Sequence, residues 1–129
     1  MTQTPTALDV ARKALELADA KPDYVYEPPI EGGSCYYVHR DDEGDPIPGK
    51  GCLFGQALAA LGVSVDQSHE HNSISSVMAD EFDVDLRDPI SKAMDRAQAE
   101  QDSRKPWGEA AAILRRLVPQ VDAIAAVTA

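Results

Sequence analysis

Basic residues are scarce in this sequence, which has 12 lysines and arginines against 22 aspartates and glutamates. The formal net charge of −10 repels phosphate groups and argues against nucleic acid and anionic membrane surfaces as partners. Long apolar runs are missing too, since nothing approaches the roughly 20 apolar residues of a membrane-spanning helix. The first residues lack a basic region followed by an apolar stretch, so no secretory signal is expected. We therefore predict a cytoplasmic protein that binds neither nucleic acid nor a membrane.

Aromatic residues make up only 5% of the chain, while the hydrophobic fraction of 43% is ordinary for a globular protein. An apolar content weighted toward Ala, Val and Leu favours packed helices over a large sheet. A length of 129 residues suits one domain, with residues 1–5 frayed. We predict a single α+β domain over residues 1–129, mainly helical, with about five helices and a small antiparallel β element.

The first two helices are predicted from their ends. Thr6 followed by Asp9 resembles a capping box, and apolar residues then recur at helical spacing until Pro22 stops the helix. A second helix starts near Cys52 and runs through an almost wholly apolar segment. We expect it to end at Gly62, a typical C-terminal cap.

The second half of the chain carries three further helix signals. Residues 73–78 are predicted to form a short helix, followed by a loop or a short edge strand. Asp88 before Pro89 is a typical helix start, with Asp as the cap and Pro at the first helical position. Pro106 opens another helix, which Pro119 should break or kink before a terminal helical segment.

The β element is predicted between the first and second helices. Residues 34–39 have the β-branched and aromatic composition of a strand, and residues 24–26 are the candidate antiparallel partner. The following segment, residues 40–51, is polar and rich in Pro and Gly, which predicts an exposed loop. Its Gly44–Gly51 stretch matches part of a phosphate-binding loop, but its prolines and acidic residues argue against nucleotide binding.

Negative charge is concentrated between Asp66 and Asp102, where 10 acidic residues stand against 3 basic ones. From Ser103 onward the balance reverses, with four basic residues against two acidic ones. One interpretation is a solvated face that maintains solubility. The other is a docking surface for a basic protein partner, for which the candidate residues are Asp80, Glu81, Asp83 and Asp85.

The cysteines and histidines offer weak candidates for metal or nucleophile chemistry. They comprise Cys35, His39, Cys52, His69 and His71. No Cys-x2-Cys or His-x3-His core is present, so no metal or other cofactor is expected. In a cytoplasmic protein we expect both cysteines to be reduced thiols. A thiolate–imidazole pair of Cys52 with His39 stays open, although a packed cysteine and a surface histidine is the more ordinary interpretation.

All four tyrosines fall within residues 24–37. On paired strands some of their rings would be exposed, which makes Tyr24, Tyr26, Tyr36 and Tyr37 a candidate docking surface. The alternative is that the rings cover one end of a small helical core. A separate hypothesis places a pocket for a small molecule or a metal near Tyr36, His39, Cys52 and Trp107.

Two segments, CLFGQALAALGV and AQAEQDSRKPWGEAAAIL, carry a resemblance. They are similar to small uncharacterised proteins of actinobacteria and their phages, which pair a Pro/Tyr-rich segment with Cys-Leu-x-Gly-x-Ala-Leu and end on Ala-Gln…Gln-Asp…Pro-Trp-Gly. The resemblance spans residues 14–114. It implies a phage or phage-like origin, attaches no activity and transfers no site residues.

Taken together, these features favour a non-enzymatic binding or regulatory protein over an enzyme. The expected partner is a protein, with a basic surface if the acidic residues form the contact, and a host protein if the origin is a phage. The alternative class is a small-molecule- or metal-binding protein, or a small enzyme, that uses the pocket just named. The chain is expected to be a monomer or a homodimer.

Overall fold

The computed structural model describes residues 5–28, 36–45, 47, 50–63, 65, 70 and 72–119. Over these residues the chain forms six helices. Five have defined bounds: α1 (Ala7–Ala20), α2 (Leu53–Ala60), α3 (Ile74–Phe82), α4 (Pro89–Asp102) and α5 (Trp107–Ala110). The sixth, α6, is helical over residues 112–119. None of these helices is long and apolar enough to cross a membrane.

Local capping signals place the ends of several helices where the sequence predicts them. Thr6 and Asp9 form both hydrogen bonds of a capping box at the start of α1. Asp88 caps α4 by accepting the backbone N–H groups of Ile90 and Ser91. These interactions join residues two or three positions apart, so they depend on the local sequence alone.

The ends of α2 and α3 use left-handed backbone conformations. Gly62 has a φ of 82°, and the N–H of Val63 donates to the carbonyl of Leu58 in a Schellman motif, as predicted for this glycine. Helix α3 is longer than the predicted segment 73–78 and ends on Asp83, which has a φ of 57°. Aspartate tolerates this conformation better than most residues.

The predicted antiparallel β element is wrong, because the described part of the chain contains no strand. Residues 24–26 do not pair with a strand. The carbonyl of Tyr24 instead accepts the backbone N–H of Trp107 at 2.9 Å, at the start of α5. The Tyr26 side chain enters the core, where it is fully buried.

Residues 36–39 also find their hydrogen bonds outside a sheet. The N–H of Tyr36 donates to the hydroxyl of Tyr26, and its carbonyl accepts the N–H of Cys52 at 2.9 Å. The N–H groups of residues 37–38 both donate to the carboxylate of Glu70. Side chains and a helix start therefore satisfy backbone groups that a neighbouring strand would otherwise satisfy.

Helix α4 is the element that contacts most of the others, since it packs against α1, α2, α3 and α5. Its partly buried Asp95 and its buried Gln98 and Gln101 lie at successive three-residue intervals. Each accepts a hydrogen bond from the backbone N–H at the start of another helix. In that order, the donors are Ser75 (2.9 Å), Ile74 (2.9 Å) and Leu53 (2.7 Å).

The core is built from small residues of α1 and larger side chains from the rest of the chain. Helix α1 buries four alanines and a valine, which lets α2 approach closely. The largest fully buried side chains include Trp107, Tyr26, Tyr37, Phe54 and Leu53. The Ala-rich composition thus predicts the helical packing, and the few aromatics fill its centre.

Candidate functional site

Cys52 is disulfide-bonded, so the prediction of reduced thiols is wrong for this residue. The sequence contains one other cysteine, Cys35, which lies outside the described residues. Cys52 is fully buried and precedes α2 as its N-cap. Because a disulfide sulfur has no thiolate form, Cys52 in this state cannot form the nucleophilic pair with His39. The expectation of reduced thiols came from the predicted cytoplasmic location, which the bond at Cys52 does not follow.

The four tyrosines separate into two buried and two accessible ones. Tyr26 and Tyr37 belong to the core, while Tyr36 is partly buried and Tyr24 is 39% exposed. The predicted docking surface of four rings therefore reduces to Tyr24 and part of Tyr36. The alternative interpretation, that the rings cover and fill one end of the core, describes Tyr26 and Tyr37.

Tyr26 and His39 form a hydrogen-bonded pair. The Tyr26 hydroxyl lies 2.7 Å from His39 Nε2, and the two rings meet edge to face at 5.6 Å between centroids. Burial lowers the pKa of His39, and the charge of Lys50 lowers it further. Burial also raises the pKa of Tyr26 well above its ordinary value. Burial thus favours the neutral form of both groups, which share this hydrogen bond.

Tyr37 lies at the centre of a second buried network. Its hydroxyl donates to the carbonyl of Asn72 at 2.5 Å and accepts the side-chain N–H of Gln98 at 2.8 Å. Burial raises the pKa of Tyr37 strongly. All its polar contacts are internal, so this ring stabilises the fold and offers nothing to a partner.

Trp107 is also part of the core. Its indole N–H donates to Gln101 at 3.0 Å, and its ring meets that of Tyr24 edge to face at 4.6 Å. Through Gln101 and the start of α2, Trp107 comes near Cys52, as the pocket hypothesis requires. Trp107 and Cys52 are both buried in the core, however. The two cavities described below are lined by other residues, so neither cavity is the predicted pocket.

Metal ligation finds no support among the described residues, which include no group of three side chains suited to hold an ion. His69 and His71, two of the candidate ligands, lie outside them. His39 is engaged with Tyr26, and Cys52 is engaged in its disulfide.

The four acidic candidates lie together where α3 ends. Asp80 and Glu81 occupy the last turn of α3, Asp83 is its C-cap, and Asp85 follows in the turn before α4. All four are exposed, and we call them the acidic corner. The last turn of α3 contains no basic residue. This arrangement places the carboxylates at the negative end of the helix dipole.

The acidic corner borders an open depression of about 590 Å³. Leu86 in its wall is 55% exposed, the most exposed large apolar side chain among the described residues. Leu86 is not among the residues predicted from the sequence, where its position within an acidic turn was the available signal. The lining residues are Ala79, Asp83, Val84, Asp85, Leu86 and Arg87.

Within this turn Asp85 has a structural contact as well. Its carboxylate accepts the backbone N–H of Arg87 at 2.8 Å and pairs weakly with the Arg87 side chain at 3.4 Å. The backbone hydrogen bond, with the side-chain one, holds the pKa of Asp85 below its ordinary value. Asp85 therefore shapes the turn, whereas the charge of Asp83 points to solvent from an exposed position.

A second cavity, of about 210 Å³, lies between α4 and the α5–α6 segment. Arg96 and Arg116 line it from opposite sides, together with Glu100, Glu109, Ala110, Ala112 and Ile113. None of these residues is among the site residues predicted from the sequence. The reversal of charge after Ser103 was the only signal, and it did not show which side chains would meet.

Comparison of the chain with protein-family models, with curated proteins and with solved structures finds no match.

Proposed function

We propose that this chain is a non-enzymatic binding protein that docks a basic protein partner at the acidic corner. The observation that carries the proposal is the placement of Asp80, Glu81 and Asp83 at the C-terminal end of α3 without a basic residue in the same turn. Carboxylates at the C-terminal end of a helix interact unfavourably with the helix dipole. A lysine or arginine of a partner would relieve this repulsion.

The exposed leucine gives the corner the composition of an interface. Protein interfaces combine an apolar centre with a polar rim, and binding energy is concentrated in a few anchor residues. Leu86 and Val84 supply apolar surface in the depression, and Asp83 and Asp85 lie beside them. The partner segment that fits is one with an apolar side chain flanked by lysine or arginine.

The biological origin of the protein and its cellular compartment are also part of the proposal. If the resemblance to actinobacterial and phage proteins reflects descent, the partner is a host protein. A cytoplasmic location was predicted, yet disulfides such as that of Cys52 persist mainly in oxidising compartments. Blocking free thiols with N-ethylmaleimide before cell lysis measures whether Cys52 is oxidised where the protein resides.

The proposal is tested with a fluorescent amphipathic peptide of leucine and lysine, titrated by fluorescence anisotropy. The variant D80N/E81Q/D83N removes three charges from the corner. Its control, D23N/D42N/E43Q, removes three charges from exposed positions elsewhere. We expect about tenfold weaker binding for the corner variant and less than about twofold for the control. Equal effects of the two variants would show only non-specific attraction and would refute the proposal.

The apolar part is tested separately with Leu86→Ser. This variant should weaken the binding of the leucine–lysine peptide. It should leave the binding of a lysine–serine peptide unaffected, because that peptide has no apolar side chain to contact Leu86. Raising the salt concentration should weaken the binding of both peptides, since salt screens exposed charges. If Leu86→Ser weakened the binding of both peptides equally, the substitution would have altered the turn, and the role of Leu86 as an apolar contact would be refuted.

A further inference from the structure

The cavity between α4 and α6 is unusual because it brings two arginines together in a strongly acidic protein. Arg96 comes from α4 and Arg116 from α6, and both side chains are exposed. Among the described residues neither arginine forms an ion pair or a hydrogen bond. Arg115, next to Arg116, differs in that it pairs with Asp19 of α1.

The glutamates in the same cavity already have a cation. Lys105 contacts Glu100 at 3.2 Å and Glu109 at 3.5 Å. The charge of Lys105 therefore partly neutralises these two carboxylates. Arg96 and Glu100 are four residues apart on α4, with the arginine first, which is the less favourable order for such a pair.

The walls of the cavity are held by contacts beside it. Gln101 fixes the start of α5 against α4 through the Trp107 indole. Arg115 ties α6 back to the carbonyl of Gly108 at 3.1 Å and to Asp19. Gln101 and Arg115 lie close in sequence to the residues that line the cavity. Their hydrogen bonds therefore hold the helix backbones that carry Arg96 and Arg116 at a defined separation.

We propose that this cavity binds a small aliphatic monocarboxylate, whose carboxylate lies between Arg96 and Arg116. Guanidinium groups are suited to carboxylates because their N–H donors match the two oxygens. The charges of the two arginines, Lys105 and the two glutamates leave one net positive charge, which one carboxylate balances. Ala110, Ala112 and Ile113 provide an apolar wall for the aliphatic part.

The volume of the cavity and the two glutamates that line it restrict the class of ligand that can bind. A volume of about 210 Å³ equals roughly seven water molecules at about 30 Å³ each, which is below the range for drug-sized ligands. Glu100 and Glu109 would repel a group with several negative charges, so nucleotides and polyphosphates do not fit. A short-chain carboxylate meets both conditions.

The test is a titration of the full-length protein with sodium hexanoate, followed by ¹H–¹⁵N NMR. We expect saturable shifts of the amide signals around Glu100, Ala110 and Ile113. Arg96→Gln and Arg116→Gln should each weaken binding about tenfold, since each removes charged donors. Lys92→Gln, an exposed cation on α4 outside the cavity, is the matched control and should change the affinity less than about twofold.

Two comparison ligands make the result decisive. Hexylamine has the same chain and the opposite charge, and phosphate has an anionic group without the chain. Saturable binding of hexanoate alone supports the proposal. Equal binding of phosphate, binding of hexylamine at the same signals, or shifts that stay linear with hexanoate concentration would each overturn it. Unchanged hexanoate affinity in folded Arg96→Gln and Arg116→Gln would overturn it as well.

Discussion

Gln101 accepts a hydrogen bond from the backbone N–H of Leu53 at 2.7 Å, although 48 residues separate them. The same side-chain oxygen accepts the indole N–H of Trp107 at 3.0 Å. One amide on α4 thus holds the start of α2 and the start of α5. All three groups are buried, so water cannot replace the amide if it is removed.

Replacement of this amide should destabilise the protein strongly. Gln101→Leu leaves two buried donors without an acceptor, and each costs about 1–3 kcal/mol, so we expect a loss of about 2–6 kcal/mol. Urea unfolding followed by circular dichroism measures it. Gln56→Leu is the matched control, because Gln56 makes one hydrogen bond, to Gly51, and is only partly buried. A loss no greater than the control's would contradict the role of Gln101.

Gly55 should not tolerate even a methyl group. A Cβ at this position would overlap the carbonyl oxygen of Tyr37, which is backbone and cannot rotate away. We expect Gly55→Ala to cost more than about 3 kcal/mol or to prevent folding. Gly62→Ala is the control, since a Cβ there meets nothing within 4 Å and only the positive φ is unfavourable, at about 1 kcal/mol. Similar unfolding midpoints for the two variants would refute this prediction.

His39 should make stability depend on pH on the acidic side of neutrality. Burial and Lys50 lower its pKa, so the unfolded chain binds a proton at a higher pH than the folded chain does. Stability from His39 is therefore complete above about pH 6.5 and falls as the pH drops toward the lowered pKa. Chemical denaturation of the wild type and His39→Gln from pH 8 to pH 5 isolates this effect. A constant difference between the two across that range would show that His39 has an ordinary pKa.

Reduction of the disulfide at Cys52 should lower the unfolding temperature. Loss of a native disulfide typically costs about 2–5 kcal/mol, largely by freeing the unfolded chain. Thermal unfolding with and without dithiothreitol measures the change in the wild type, and Cys52→Ala should reproduce it without reductant. Since Cys52 is buried, N-ethylmaleimide should add mass only after reduction. An unfolding temperature unaffected by dithiothreitol, with thiols already labelled in native protein, would contradict the bond.

Arg104 occupies a position that suits glycine. It follows α4 with a φ of 68°, and its N–H donates to the carbonyl of Gln101 in a C-terminal cap. Arg104→Gly should therefore stabilise the protein by about 1 kcal/mol relative to Arg104→Ala, which loses the same side chain but keeps the strained backbone. Calorimetric unfolding of the two variants provides the comparison. A glycine variant less stable than the alanine variant would argue that this backbone conformation is unstrained.

The two segments CLFGQALAALGV and AQAEQDSRKPWGEAAAIL contribute mainly to packing. In CLFGQAL, Gly55 allows the Tyr37 backbone to approach α2. In the second segment Gln101 links α2 to Trp107, and the N–H of Gly108 donates to the carbonyl of Pro22 at 2.9 Å. These roles explain such residues without an active site. The acidic corner lies outside both segments, whereas five of the seven residues that line the α4–α6 cavity belong to the second one.

The sequence by itself determined the elements whose signals are local. The capping box of Thr6 and Asp9, the start of α4 at Asp88 and the end of α2 at Gly62 all follow from contacts within a few residues. Hydrophobic periodicity predicted the helices for the same reason, because a helix repeats its pattern every turn. The net charge and its concentration between Asp66 and Asp102 likewise needed no structure.

Only the tertiary structure decided which distant groups meet. Residues 36–39 have the composition of a strand, yet several of their backbone groups hydrogen-bond to Tyr26, Cys52 and Glu70 and not to a neighbouring strand. The oxidised state of Cys52, the burial of two tyrosines and the pairing of Arg96 with Arg116 across a cavity depend in the same way on helix packing. Composition records what a segment can form, whereas the partners available in the folded chain determine what it does form.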